Sequence, residues 1–181
     1  MGINSDSFIV IYDTKVIYSS PRAWFLFKTM GHNAVAVLNG GLPEWAKHGG
    51  SCTTAYAKNY PRGNFKADFE PTRLKNAEVI LDNINTFNCT VIDARSEERF
   101  LGKVSEPRAH LKRGHIPKSI NLPFTNLLRD GKFLPIKELK ETFKNLSLGN
   151  NPLLFSCGSG ITACILFFCR YYGFKERAFS L

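Results

Sequence analysis

Cys157-Gly158-Ser159-Gly160-Ile161-Thr162 is the segment of this chain with the clearest chemical potential. The apolar run Leu153-Leu154-Phe155-Ser156 reads as a strand that ends in the cysteine. A helical pattern follows from Ile161 to about Tyr172, closed by Gly173. A thiol at such a turn meets unpaired backbone N–H groups and the positive end of the helix dipole. Both favour an anion, so the thiolate is stabilised and the pKa falls. Gly158 and Gly160 let the backbone curl around the sulfur with no Cβ in the way. The hydroxyls of Ser159 and Thr162 can hydrogen-bond the sulfur or a bound molecule, or simply cap the helix. The chemistry on offer is that of a nucleophilic thiolate in an anion-binding cup.

Free cysteine is more often a small core hydrophobe than a nucleophile. Cys164 and Cys169 read that way, since they lie among Ile161, Ala163, Ile165, Leu166, Phe167 and Phe168. Cys52 and Cys89 have no partner chemistry around them. Phosphoryl transfer is the other reaction run from a cysteine in a cradle of amides, but it needs an arginine at the start of the helix to clamp phosphate oxygens. This chain has Ala163 and then Cys164 there, and no positive charge before Arg170. The cup lacks the clamp for a phosphate dianion, which argues against a phosphatase.

Composition narrows the class further. With 44% hydrophobic residues in 181, a true core is expected, in one large or two small domains. No apolar run reaches the length of about 18 residues that a membrane span needs, and no signal-peptide pattern opens the chain. Five irregularly spaced cysteines argue against a disulfide framework and for a reducing compartment. No cysteine or histidine cluster has metal-ligand spacing, so no metal is expected. The net charge of +9, from 24 basic and 15 acidic residues, is spread along the chain without a basic run. It reads as a solvated basic surface that also draws small anions toward a cleft, rather than as a nucleic-acid site.

The elements that position these residues form a degenerate internal repeat. Phe8 to Asp13 reads as a buried strand. A helix follows with Ser20 as N-cap and Pro21 at its first position, runs through Trp24, Phe25, Phe27 and Met30, and ends at Gly31. Ala34 to Leu38 is the next strand, before Gly40-Gly41-Leu42-Pro43-Glu44-Trp45. In the second copy, Leu153 to Ser156, the Cys157 turn, the helix and a strand over Ala178 to Leu181 repeat that order, so Asp13 takes the place of Cys157. A carboxylate cannot carry a transferable sulfur, and the first copy is expected to be silent. Between the copies come a linker over 51–75, a helix from Ala77 through Phe87, a strand Thr90 to Ile92, a polar stretch Glu97 to Arg113, a short extended piece Ile120 to Phe124 and a helix near Ile136 to Phe143. Alternating strands and helices imply a parallel sheet with its chemistry at the strands' C-terminal ends. The expected organisation is a partial repeat over 1–50, the linker 51–75 and a catalytic domain over 76–181, an excerpt shortened at both ends.

Several motifs, in order, resemble the tandem-domain rhodanese family: Ile11-Tyr12-Asp13, Ser20-Pro21-Arg22, Gly40-Gly41-Leu42 with Trp45, Asp93-Ala94-Arg95, Gly114-His115-Ile116-Pro117 with Asn121 and Pro123, and Cys157 to Ala163. The resemblance implies a rhodanese-like α/β fold, a parallel sheet flanked by helices. It implies a sulfurtransferase that carries sulfur as a persulfide on Cys157 and needs no cofactor. The turn Cys-Gly-Ser-Gly, without basic residues after the cysteine, is similar to the branch that uses 3-mercaptopyruvate rather than thiosulfate. It further implies that Arg99 and Arg108 hold the substrate's carboxylate and keto oxygen, and that Gly158, Ser159, Gly160, Ile161 and Thr162 line the substrate. Read from the residues alone, either arginine is equally a surface cation paired with Glu97, Glu98 or Glu106.

Asp93 and Arg95 are expected to be structural, as a helix cap and an ion pair. His115 is expected to be a satisfied structural histidine. In the family, an acidic residue and a histidine from the first half of the N-terminal domain approach the hydroxyl matching Ser159; Asp13 and His32 are not given those roles. The implied partners are 3-mercaptopyruvate and a thiol acceptor such as thioredoxin or glutathione, with no nucleic acid or membrane, in the cytoplasm or, behind a transit peptide, the mitochondrion. Alternatives to an active enzyme are a sulfur-carrier module loaded by another protein, an inactive fragment, and a basic interaction domain with an incidental cysteine.

Overall fold

The computed structural model describes residues 2–55, 59–146 and 148–174. The chain divides into two compact units, Met1–Leu74 and Lys75–Leu181.

The first unit is built on two short parallel strands, β1 (Ile9–Ile11) and β2 (Val35–Val37), joined through helix α1 (Ser20–Thr29) and followed by α2 (Gly41–Lys47). Trp24 and Phe25 of α1 and Val35 and Val37 of β2 form its core, with Ile17. The first strand is not buried as expected. Phe8, Val10 and Tyr12 are 62%, 47% and 53% exposed. A strand's side chains alternate between faces, and only the other face of this two-stranded sheet is covered. From 59 to 74 the stretch expected as a linker lies along this unit without a regular strand. Phe65 N–H donates to the Ile3 carbonyl, Asp68 N–H to Met30 and Glu70 N–H to Thr29.

Asp13 organises the start of α1. Ser19 rather than Ser20 occupies the cap position, and neither serine side chain caps the helix. The Asp13 carboxylate does so instead. It accepts the backbone N–H groups of Tyr18, Ser19 and Ser20, at 2.9 to 3.0 Å, and the hydroxyls of Ser19 and Ser20. Burial alone would push its pKa up, but these donors outweigh it and hold the carboxyl below its ordinary value. A carboxyl lowered by folding stabilises the fold above its unfolded pKa of about 3.9, and that contribution is lost as pH falls through the lowered folded value. Asp13→Asn is therefore expected to cost about 2 kcal/mol at neutral pH. The gap from the parent, read from urea midpoints, narrows in acid below the ordinary carboxylate range. A gap that stays constant down to strong acid would contradict the assignment.

The second unit holds a three-stranded parallel sheet in the order β4-β3-β7, with β3 (Thr90–Asp93) central, β4 (Ile120–Asn121) on one side and β7 (Leu153–Ser156) on the other. Helix α3 (Ala77–Thr86) precedes β3, its N-terminus capped by the Asn76 side chain, which accepts from Val79 N–H at 3.1 Å. The polar stretch after β3 contains one short helix, α4 (Glu97–Phe100). An antiparallel hairpin not foreseen in the sequence, β5 (Leu128–Arg129) and β6 (Lys132–Phe133), turns at Asp130-Gly131, both in the left-handed region.

Helix α5 (Ile136–Lys144) buries Leu139 and Phe143, whereas α6 (Thr162–Phe174) is apolar on nearly every side and buries seven residues, Cys164 and Cys169 among them. Gly173 does not close α6 as expected but lies within it. Its buried position faces Leu139 of α5, where an added Cβ would make ordinary contact at 3.7 Å. The strand expected over 178–181 lies outside the described residues.

Candidate active site

Register places the site. Asp93, the last residue of β3, pairs with Ser156, the last of β7, and Ala94 N–H donates to the Ser156 carbonyl at 2.8 Å. The chain emerging from β3 and the turn emerging from β7 therefore stand side by side at the C-terminal edge of the sheet, where open α/β folds bind ligands. Cys157 follows Ser156 directly, and α6 begins at Thr162.

The cup forms as the turn requires. Gly160 adopts φ of 76°, a conformation that favours glycine, and its N–H donates to Cys157 Sγ at 3.0 Å. The Thr162 hydroxyl and the amides of Ala163 and Ser159 also hydrogen-bond the sulfur. Burial works against ionisation of the thiol, but the Thr162 hydroxyl and the three amides outweigh it, so the Cys157 pKa is lowered. Thr162→Val keeps the shape and removes one donor to a charged sulfur. The pH at which iodoacetamide labels Cys157 at half its maximal rate is expected to rise by about one to two units. An unchanged pH profile would show that Thr162 leaves the thiolate alone.

Asp13 and Cys157 have parallel surroundings. Each follows a parallel strand, each precedes a helix, and each receives backbone amides together with hydroxyls, two at Asp13 and one at Cys157. In the first unit the group so held is a carboxylate; in the second it is a thiol whose pKa is lowered. His32, 2% exposed, has Nε2 at 2.9 Å from the Ser7 carbonyl within the first unit.

An open cavity of about 470 Å³ fronts Cys157, with Arg95, Glu106, Arg108, Lys112 and Gly158 in its lining. A cavity of about 580 Å³ in the first unit, lined by His32, Asn64 and Phe65, holds no cysteine. Arg108 reaches the turn, its Nη2 donating to the Gly158 carbonyl. Arg99 also lies against it, since a Cβ built on Gly158 would come within 2.9 Å of Arg99 Nη2. The same guanidinium is hydrogen-bonded to Glu106, at 2.5 Å through Nη2 and 3.2 Å through Nε, so the ion pair weighed for it coexists with proximity to the cup. Ser159 is exposed and contributes its amide. The Ile161 carbonyl accepts Cys164 N–H at 3.1 Å, in the first turn of the helix.

Asp93 is not a helix cap. Its Oδ1 accepts Arg95 N–H at 2.9 Å, and its carboxylate grips the Arg95 side chain through Nε and Nη2, whereas Ser96 stands at the cap of α4. The pair is needed because both side chains are almost out of water, 3% and 11% exposed. Arg95 Nη2 also donates to the Gly114 carbonyl at 2.8 Å, and Asn121 Nδ2 donates to the carbonyls of Asp93 and Arg95. His115 stacks on Phe100 and has Nδ1 at 2.8 Å from the Phe100 carbonyl. Glu106 is the residue whose importance the sequence understated. The Glu106-Pro107-Arg108 motif draws attention to the arginine, and only the fold shows the carboxylate joining Arg95 to Arg99.

The second unit is thus an α/β domain whose three-stranded parallel sheet, flanked by helices, ends at a cysteine of lowered pKa in an amide cup, with Arg99 and Arg108 beside Gly158. A model of the rhodanese-like domain matches residues 76–181, and the chain belongs to that family. It is similar to the 3-mercaptopyruvate sulfurtransferase of Mus musculus, 36% identical over 168 residues that cover 91% of this chain and 56% of that protein. The thiosulfate sulfurtransferase of Bos taurus is 37% identical over 177 residues, covering 94% and 59%. Among solved structures, SseA of Escherichia coli, described as a 3-mercaptopyruvate sulfotransferase, superposes with a TM-score of 0.82 at 33% identity, over 94% of this chain and 63% of that one. A yeast mitochondrial complex I sub-stoichiometric sulfur transferase subunit gives 0.82 at 31% identity, over 94% and 63%. The chain thus spans little more than half the length of the curated relatives it matches. Among the described residues no helix is long and apolar enough to cross a membrane.

Proposed function

We propose that this chain is the sulfur-carrying part of a sulfurtransferase that takes sulfur from 3-mercaptopyruvate onto Cys157. The observation that carries the reading is the set of four donors, one hydroxyl and three amides, converging on Cys157 Sγ at the start of α6. The thiolate attacks the sulfur of the donor thiol, and the carbon–sulfur bond breaks. Its electron pair leaves with the carbon as the pyruvate enolate, which takes up a proton. Cys157 is left as a persulfide whose inner sulfur keeps the cup's donors, an electrostatic cradle of the oxyanion-hole kind. Arg108 and Arg99, both beside Gly158, are the guanidiniums we assign to the donor's carboxylate and keto oxygen, which planar donors suit. A thiol acceptor such as thioredoxin or glutathione, or cyanide, then attacks the outer sulfur and restores the thiolate. The Cys157 domain over 76–181 carries this relay, and the Asp13 unit is silent.

Thiosulfate is the second reading for the donor, favoured by relatives of equal similarity that bear that name. Intact-mass measurement after exposure to each donor tests both. The expected result is a gain of one sulfur at Cys157 with stoichiometric pyruvate from 3-mercaptopyruvate. Sulfur gained only from thiosulfate would replace the donor, sulfur gained only from a persulfidated protein would make the chain a carrier, and none at all would end the reading.

A further inference from the structure

Glu106 takes no part in the relay, yet its buried carboxylate lies close to the Cys157 turn. Its side chain is 3% exposed and bridges two guanidiniums, with Arg95 Nη1 at 2.9 Å and Arg99 Nη2 at 2.5 Å. Arg95 has a second carboxylate in Asp93. The four side chains therefore form a row, Asp93–Arg95–Glu106–Arg99, of alternating charge and no net charge. The Arg99 end of the row meets the turn: a Cβ on Gly158 would lie 2.9 Å from Arg99 Nη2 and 3.9 Å from Glu106 Oε2. Arg108 also reaches Gly158, and among the described residues it has no carboxylate within ion-pair distance.

We propose that Glu106 sets the charge the cup presents, cancelling Arg99 so that the site prefers singly charged sulfur donors to doubly charged ones. This rests on Cys157 being the sulfur acceptor. With Glu106 ionised, the cations lining the cavity without a carboxylate partner among the described residues are Arg108, Lys112 and Arg113, and the Arg99 charge beside Gly158 is cancelled. The hydrogen bond from Arg99, and the field of both arginines, hold its carboxyl below the usual range, so it is ionised at neutral pH. Without that charge, the Arg99 guanidinium beside Gly158 adds a further cation at the turn, which favours a dianion more than a monoanion. With such a donor, thiosulfate, the Cys157 thiolate attacks the outer sulfur. The sulfur–sulfur bond then breaks, and sulfite leaves with the electron pair. A dianion approaching a thiolate meets more repulsion than a monoanion does, so the added cation helps it more.

Glu106→Gln keeps the shape and an acceptor oxygen while removing the charge. Its expected effect is a rise of about tenfold in the ratio of kcat/KM for thiosulfate to that for 3-mercaptopyruvate. A second readout needs no turnover. The rate of Cys157 alkylation by anionic iodoacetate, relative to neutral iodoacetamide, should rise several-fold at low ionic strength and return toward the parent value in high salt. Glu106→Asp should restore both ratios. If Glu106→Gln does not fold, Arg99→Gln gives the opposite sign, lowering the iodoacetate preference. Equal losses for both donors, or an alkylation ratio that does not move, would overturn the proposal and leave Glu106 a purely structural bridge. A parent protein that takes sulfur from neither donor ends the proposed function and the donor preference with it; the alkylation ratio then still decides whether Glu106 masks Arg99.

Discussion

Cys157→Ser is expected to take up no sulfur from any donor and to lower turnover by about three orders of magnitude or more, the scale of losing an enzyme's nucleophile. No other cysteine is placed to compensate. Cys169 is fully buried, and burial pushes its thiol up far from ionisation. Cys89 is pushed up by burial too, only partly offset by Lys75. Cys164 is buried, with Sγ donating to the Gly160 carbonyl at 3.0 Å, so it faces the turn as a donor rather than as a thiolate. Cys52 is exposed in the first unit, without the cup. The measurement is intact mass of the variant after donor exposure, together with pyruvate release. Residual persulfide on Cys164 would be the most damaging result, because it would mean that the turn, rather than the specific sulfur at its centre, confers reactivity.

The largest effect on stability is expected at Arg95. Its guanidinium binds the Asp93 carboxylate through Nε and Nη2, Glu106 through Nη1 and the Gly114 carbonyl through Nη2, in a cluster whose three side chains are 11%, 3% and 3% exposed. Arg95→Met leaves the Asp93 carboxylate without its guanidinium partner and takes one of two from Glu106. Removing one partner of such a buried set costs about 3–5 kcal/mol, because the remaining charge can neither reach water nor find a new counter-ion. The exposed pair Arg129–Glu138, with side chains 59% and 36% accessible, is the natural control, and Arg129→Met should cost less than about 1 kcal/mol. Urea unfolding followed by tryptophan-independent far-UV signal compares the two. Equal small losses would mean that water enters the Arg95 cluster. Partial retention in Arg95→Lys would fall well short of the parent, since one ammonium cannot reproduce the fork that meets two carboxylates and a carbonyl.

The chain's sequence was enough to place the turn around Cys157, because that turn depends on local order. A strand, a cysteine, two glycines and a helix in succession fix a thiol at a helix start, because the amides that stabilise it belong to the next few residues. The same locality made Asp13 readable as the counterpart of Cys157, and alternating apolar and helical segments gave the parallel sheet whose C-terminal edge carries the Cys157 turn. Charge pairing was not readable. Glu97, Glu98 and Glu106 were equal candidates to hold Arg99, and the choice of Glu106 depends on how the irregular stretch after α4 folds back toward Arg95. Nor did periodicity tell which face of β1 would be covered, since a strand's alternation records that two faces exist and not what packs on each. Short-range backbone donors are dictated by chain order; long-range ion pairs and burial depend on which distant segments arrive, and only the tertiary structure decides that.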